Sequence, residues 1–251
     1  MFTLKNSLAI WVCACAASVC QAATVSIKFD NPIFNPLSAD AVEITYPNAS
    51  GSGSTKSDTN AGRFQGTASN IVGVSPSIFV DGINDVFMYC YDLYDGVSSG
   101  ASVNYTINLS GALARTLDFL GAVNSKIDPA DPYAWLHPVN GDQAAAIQLG
   151  IWESKFDDSS SWDLSNGKFK AKNLNADTST WWSEFQGAMN TTSSLDSASV
   201  MTFTAPNYQD MIAGDPPAPN QVPEPGSLAL LGLAITGLTL VHRSKNRGDQ
   251  A

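Results

Sequence analysis

A chain of 251 residues with 13 Lys and Arg against 23 Asp and Glu has a formal net charge of −10. That balance excludes nucleic acid as a leading partner, because phosphate recognition runs on cations. At 14% charged and 44% apolar residues the chain is not a polar disordered polymer and has material for one sizeable core. Its two histidines, His137 and His242, exclude mechanisms built on several imidazoles, and with them most zinc and haem schemes.

From the N-terminus, Lys5 precedes a short apolar run over residues 8–19, and Cys20-Gln21-Ala22 places small residues at the −3 and −1 positions. This pattern predicts a secretory signal peptide over 1–22 with cleavage after Ala22. The body, 23–209, opens with alternation at Val25, Ile27 and Phe29, which predicts a strand over 24–29, followed by a second over 41–46. Residues 48–60 are rich in Ser, Gly and Thr and predict a mobile loop. Strands follow over 78–80 and 85–93, the latter with Phe87, Tyr89 and Tyr91 on one face, and over 102–109, where Val103, Tyr105, Ile107 and Leu109 alternate. Apolar residues at 113, 117, 120 and 123 predict a helix, and three prolines make 128–141 a loop.

The clearest helix is 142–155, with Asp142 as its expected cap and Ala144-Ala145-Ala146 of high helix propensity. A short helix over 180–189 and a strand over 199–204 complete the body. The expected class is α+β: a β-rich sandwich or barrel-like body with an inserted helical part, plus a C-terminal transmembrane helix. A Pro-rich linker is expected over 210–221. The last segment, 222–251, starts Val222-Pro223-Glu224-Pro225-Gly226 and continues as an apolar run over 227–241 and a tail with Arg243, Lys245 and Arg247. At a rise of ~1.5 Å per residue, that run spans only about 22 Å. This is a marginal transmembrane helix, whose basic end is expected to stay cytoplasmic.

Cysteine usage sharpens the picture. Cys13, Cys15 and Cys20 leave with the signal peptide, so the exported body keeps Cys90 alone and no internal disulfide can form. A lone thiol in an oxidising compartment is a small buried hydrophobe, an intermolecular disulfide partner or a reactive group. Between residues 23 and 221 the body has 9 basic and 21 acidic residues, a net charge of −12. Asp81, Asn84 and Asp85, and Asp92 with Asp95, cluster without the spacing of a calcium loop, so no metal site and no cofactor are expected.

The tail, with Pro223, Glu224 and Pro225, the apolar stretch and the basic end, resembles the PEP-CTERM sorting signal of Gram-negative bacteria. That resemblance covers about the last 27 residues. It implies an exosortase as processing partner and anchoring in the inner membrane before processing. It further implies cell-surface or extracellular-matrix placement, often alongside exopolysaccharide. Ser244 and Asn246 interrupt the basic tail.

Within the body, Tyr89-Cys90-Tyr91-Asp92 and, downstream, Ile147-Gln148-Leu149-Gly150-Ile151-Trp152 stand in order, with Gln148 and Trp152 on one helical face. This pair of segments resembles the thioester domains of bacterial surface adhesins over roughly 78–155. Ile147 and Gly150 stand where many members have Thr and Ala. The resemblance implies a bond between Cys90 and Gln148, sheltered by a pocket of Tyr89, Tyr91 and Trp152, that captures an amine on a partner surface once and without turnover. The chain is accordingly expected not to be an enzyme.

The alternative expectation is a non-reactive structural or carbohydrate-binding matrix protein, in which Cys90 is core material. Trp181 and Trp182, with Trp162, Tyr133 and Trp135, would then supply a sugar-stacking platform. Asp157 with Asp158, or Glu153 with Glu184, are the carboxylate pairs a hydrolase would need, and His137 beside Pro138 reads as a loop residue.

Overall fold

Strands with apolar residues on alternate positions close on themselves here into a barrel. A computed structural model describes residues 22–74, 85–157 and 161–214. The strands are β1 (Thr24–Phe29), β2 (Asp40–Pro47), β3 (Ser54–Ala61), β4 (Phe64–Val72), β5 (Asp85–Cys90), β6 (Ser102–Asn108), β7 (Lys170–Lys172), β8 (Val200–Ala205) and β9 (Tyr208–Gly214). Six of them form the closed barrel in the order β1-β4-β5-β9-β8-β6, every neighbour antiparallel. Closure leaves those strands without a free edge. Val25, Ile27 and Phe29 alternate with polar positions on β1, as do Val103, Tyr105 and Ile107 on β6, and these apolar side chains are buried. The barrel alternative of the sequence reading therefore holds, and the sandwich does not.

A second sheet, in the order β3-β2-β7, lies outside the barrel. The expected loop over 48–60 is a correction: from Ser54 onward it is strand, paired residue for residue with β2 from Pro47↔Ser54 to Asp40↔Ala61. Its composition hides it. Only Ala61 is fully buried, so no apolar alternation marks β3, and the backbone ladder alone defines the strand. The connecting turn is built as the Ser/Gly composition suggests. Asn48 Nδ2 donates to the Ser52 carbonyl at 2.8 Å, and Gly51 and Gly53 adopt φ of 72° and 108°. Strand β4 was also hidden, because its inward positions Phe64, Gly66 and Ala68 include two small residues. The strand expected at 78–80 lies outside the described residues, as do the signal peptide up to residue 21, Pro223-Glu224-Pro225 and the apolar run 227–241. Among the described residues, no helix is long and apolar enough to cross a membrane. Residues 210–214 of the expected linker are barrel strand instead, since β9 runs to Gly214, and the rest of it lies outside the described residues.

The helical part sits between β6 and β8 in sequence: α1 (Ala114–Ile127), α2 (Gly141–Phe156) and α3 (Ala176–Ala188), with a short 3₁₀ turn at Ala134–Leu136. Every residue of α2 except Asp142 and Lys155 is buried. A helix apolar nearly all round belongs in the middle of a fold, and α2 packs against α1, α3, β2, β3 and β5. Its cap is Asn140, whose side chain accepts from Gln143 N–H at 2.9 Å. The Gln143 side chain reaches back to Val139 N–H at 2.8 Å. Asp142, the expected cap, instead accepts from Asn175 Nδ2 at 2.7 Å, and Asn175 in turn caps α3.

Close approach of α1 to α2 depends on a missing methyl. A Cβ on Gly150 would overlap the Phe119 ring of α1. Gly150→Ala should therefore destabilise the fold by about 1–3 kcal/mol, the cost of overpacking a filled core, read as a lowered denaturant midpoint.

Three residues on from Gly150, Glu153 is fully buried with one oxygen unpartnered, and Arg115 Nη2 stands 3.4 Å from the other. Burial, offset in part by the Asp163 N–H bond and Arg115, pushes its carboxyl up to about 8. A carboxyl raised above its unfolded value contributes stability that is complete below about pH 4.5 and lost as pH rises through about 8. The melting temperature should fall across that window in the wild type and fall less steeply in Glu153→Gln, as followed by calorimetry.

Candidate functional site

The end of β5 is where barrel and helical part meet. Strand β4 pairs with β5 only as far as Phe64↔Met88, while β9 continues to Met211↔Cys90. Peptide groups alternate in direction along a strand. Tyr91 N–H donates to the Asp210 carbonyl on the β9 side at 2.7 Å, so the Cys90 peptide groups face the side that β4 has vacated. A side chain fills that gap. Cys90 N–H donates to Gln148 Oε1 at 2.9 Å, and Gln148 Nε2 donates to the Cys90 carbonyl at 2.8 Å. A carboxamide presents the same acceptor and donor pair as a peptide unit. Gln148, on α2, thus continues the β5 ladder by one rung and pins the helix to the barrel.

The pair is dry. Gln148 is 0% and Cys90 2% exposed. Burial, and secondarily the charge of Asp92, pushes the Cys90 thiol well above its ordinary range. The three expected pocket residues are themselves buried. Tyr89 stacks on Trp135 with centroids 5.8 Å apart and donates its hydroxyl to the Trp135 carbonyl at 3.1 Å. Tyr91 accepts from Leu113 N–H at 2.9 Å, sits 3.3 Å from Thr116 Oγ1 and has Lys155 Nζ 3.9 Å over its ring. Trp152 packs on Phe169. Burial, then the carboxylate of Asp210, pushes Asp92 up to about 6.

A cleft of about 360 Å³ reaches Cys90. Cys90 and Trp152 line it, with Ile44 of β2 and Phe64 of β4 among the walls and Asp95 and Gln209 among the polar residues. Ser57 and Thr59 of β3 complete it, so the strand that sequence analysis expected to be loose forms part of the wall. Periodicity gave no sign of the cleft, whose residues come from five strands, α2 and two loops.

The other candidates are not assembled. Trp135 is fully buried, Trp182 nearly so, and Trp162 stacks under Arg115, 3.7 Å from its guanidinium carbon. Trp181 packs on Phe185. These rings belong to the helical core and its edge and form no flat sugar platform. Buried Glu153 pairs with half-buried Arg115, whereas Glu184 lies exposed on α3 with Lys126 Nζ at 3.7 Å. Asp157 is buried and accepts from Lys168 N–H, and Asp158 lies outside the described residues. His137 meets the Phe87 ring edge-on at 5.6 Å. Among the described residues, no group of three or more His, Cys, Asp or Glu is placed to hold a metal ion.

The chain matches the PEP-CTERM protein-sorting motif over residues 221–244. That motif indicates an exported protein sorted by an exosortase and anchored in the membrane before processing. No curated protein and no solved structure matches the chain.

Replacing Gln148 by Leu keeps the volume and leaves the Cys90 N–H and carbonyl buried without partners. Gln148→Leu should cost about 2–4 kcal/mol, two orphaned backbone groups, read as a shift of the urea midpoint. A change below about 0.5 kcal/mol, the scale of an ordinary surface substitution, would mean that the carboxamide does not hold α2 to β5.

Proposed function

We propose that the protein is a surface or matrix component that attaches itself covalently to amine-bearing targets through a thioester between Cys90 and Gln148. The observation that carries this reading is the seating of the buried Gln148 carboxamide on the Cys90 peptide, beside a cleft that Cys90 lines. Resemblance to surface thioester domains and the absence of any other cysteine from the exported body point the same way.

The chemistry follows from position. A thiol does not displace ammonia from a free amide in water. Held on one scaffold, thiol and carboxamide react intramolecularly, and positioning of this kind is worth about 7–11 kcal/mol of barrier. The sulfur attacks Gln148 Cδ, and negative charge develops on Oε1. Cys90 N–H, already at 2.9 Å, is the donor that receives that charge. The Cδ–Nε2 bond breaks, the thiol proton leaves with the nitrogen, and one ammonia is released. Tyr89, Tyr91 and Trp152 keep bulk water away from the product, which would otherwise hydrolyse. An arriving amine then forms an amide bond to Cδ as the C–S bond breaks, and its proton passes to the sulfur. Cys90 returns as a thiol and the target stays bound to Gln148.

Intact and peptide-level mass of the full-length chain tests this. The segments holding Cys90 and Gln148 should be joined and together one ammonia lighter than their sequence. Cys90→Ala should restore full mass, and methylamine should release the thiol while leaving a methylamide at Gln148. Full mass with a thiol that titrates on unfolding would contradict the reaction and leave Gln148 as a structural pin in a non-reactive matrix protein.

A further inference from the structure

We propose that the cleft between the second sheet and the segment after β5 binds a neutral sugar residue reversibly, through Tyr46, Thr59 and Asp95. Binding of this kind uses none of the helical rings Trp162, Trp181 and Trp182, and it does not depend on a thioester.

One wall of the cleft is the face of the second sheet that carries Ile44 and Tyr46 of β2 and Ser57 and Thr59 of β3, with Ile44 directly opposite Ser57. Facing it are Asp95, Val97 and Ser99 of the segment after β5, and Gln209 of β9. The lining is more polar than apolar, and much of that polarity is unspent. The Tyr46 hydroxyl, the Thr59 hydroxyl and the Asp95 carboxylate make no hydrogen bond or ion pair within the protein. Ser99 Oγ accepts from Ile33 N–H at 3.1 Å and keeps its own proton to give. Gln209 Nε2 donates to the Asp92 carbonyl at 3.2 Å, which leaves its Oε1 free to accept. Trp152 also lines the cleft, is 1% exposed, and its indole Nε1 has no partner.

A buried indole N–H without an acceptor is costly, and an oxygen arriving from the cleft relieves it. Every hydroxyl both donates and accepts, so a polyol ring meets a carboxylate, two hydroxyls, an amide oxygen and an N–H at once. Its C–H faces lie against the apolar walls, Ile44, Phe64 and Val97. A volume of about 360 Å³ is at the small end for a ligand site and suits a single terminal residue. Charge narrows the class. The lining holds Asp95 and no Lys, Arg or His, and the charge of Asp95 is felt at Asp92 and Asp210, in a body of net charge −12. That field repels uronates, sulfates and phosphates, which leaves uncharged sugars.

The test uses the full-length chain in a detergent without a sugar headgroup, labelled at its indole nitrogens. The probes are the methyl glycosides of glucose, galactose and mannose, their uronates, disaccharides ending in each sugar, and cyclohexanol. At least one neutral methyl glycoside should bind in the millimolar range and move the Trp152 indole signal, identified by its loss in Trp152→Phe. Asp95→Ala should weaken that sugar about tenfold, the scale of a hydrogen bond to a charged group, and Thr59→Val about threefold. Asp95 is exposed, so its replacement should leave the melting temperature unchanged. The matching uronate should bind about tenfold more weakly than the neutral sugar, with the gap closing in Asp95→Asn. A disaccharide several-fold tighter than its terminal sugar places the natural source on a glycan chain; equal affinity places it among free sugars; either supports the site. No signal moved by any sugar, cyclohexanol bound as well as the sugars, or binding unchanged in both Asp95→Ala and Thr59→Val would overturn the site. Movement of the Trp181 or Trp182 signal in place of Trp152 would put the sugar on the helical part and overturn it equally. A uronate bound as tightly as its neutral parent would overturn the selectivity assigned to Asp95.

Discussion

Two hydrogen bonds between one carboxamide and one peptide unit hold this molecule's two halves in register. Strand β4 stops one rung short on β5, and the Cys90 amide and carbonyl are left facing the helical part. Burying them unpaired would cost several kcal/mol. Gln148 supplies the missing rung from a helix, which fixes the rotation and height of α2 against the barrel. The same contact places the Gln148 carboxamide carbon beside the barrel strand that carries Cys90. On the proposed reading, structural and chemical roles share this one geometry.

That geometry needs a helix that can be buried on every face. The Ala144-Ala145-Ala146 run and Gly150 let α1, α3 and the second sheet approach closely, and the Phe119 ring occupies the space that a side chain at 150 would fill. Closure of the six-stranded barrel makes β5 an interior strand with a partner on each side, so its end is a fixed platform. Around it, the second sheet and the 91–101 segment leave a cleft that Cys90 and Trp152 line. The sorting motif at 221–244 indicates an exported protein sorted by an exosortase.

Legibility from sequence followed the strength of apolar periodicity. Strands β1 and β6 and helices α1 and α3 were readable because their buried positions repeat with the period of the element, and α2 through its alanine run and the cap-competent residues before it. Strand β3 was not, since its stability comes from backbone pairing with β2 and its side chains are polar. Strand β9 was taken into the linker because the prolines beyond Gly214 dominate the composition there. Cys90 and Gln148 were readable as a pair through two short segments in order. Their mode of contact was not, because it depends on where β4 ends, and no local pattern encodes that. The cap at Asn140 was missed for a simpler reason: Asn140 and Asp142 are both competent caps, and the choice rests on where the first turn begins.

The most direct measurement is a carbon spectrum of the protein labelled at its glutamine side-chain carbonyls. The account predicts one carbonyl moved to the thioester region and the side-chain NH₂ signals of Gln148 missing, both reverting in Cys90→Ala. A spectrum in which Gln148 keeps its NH₂ pair, with every glutamine carbonyl in the amide region, would contradict it.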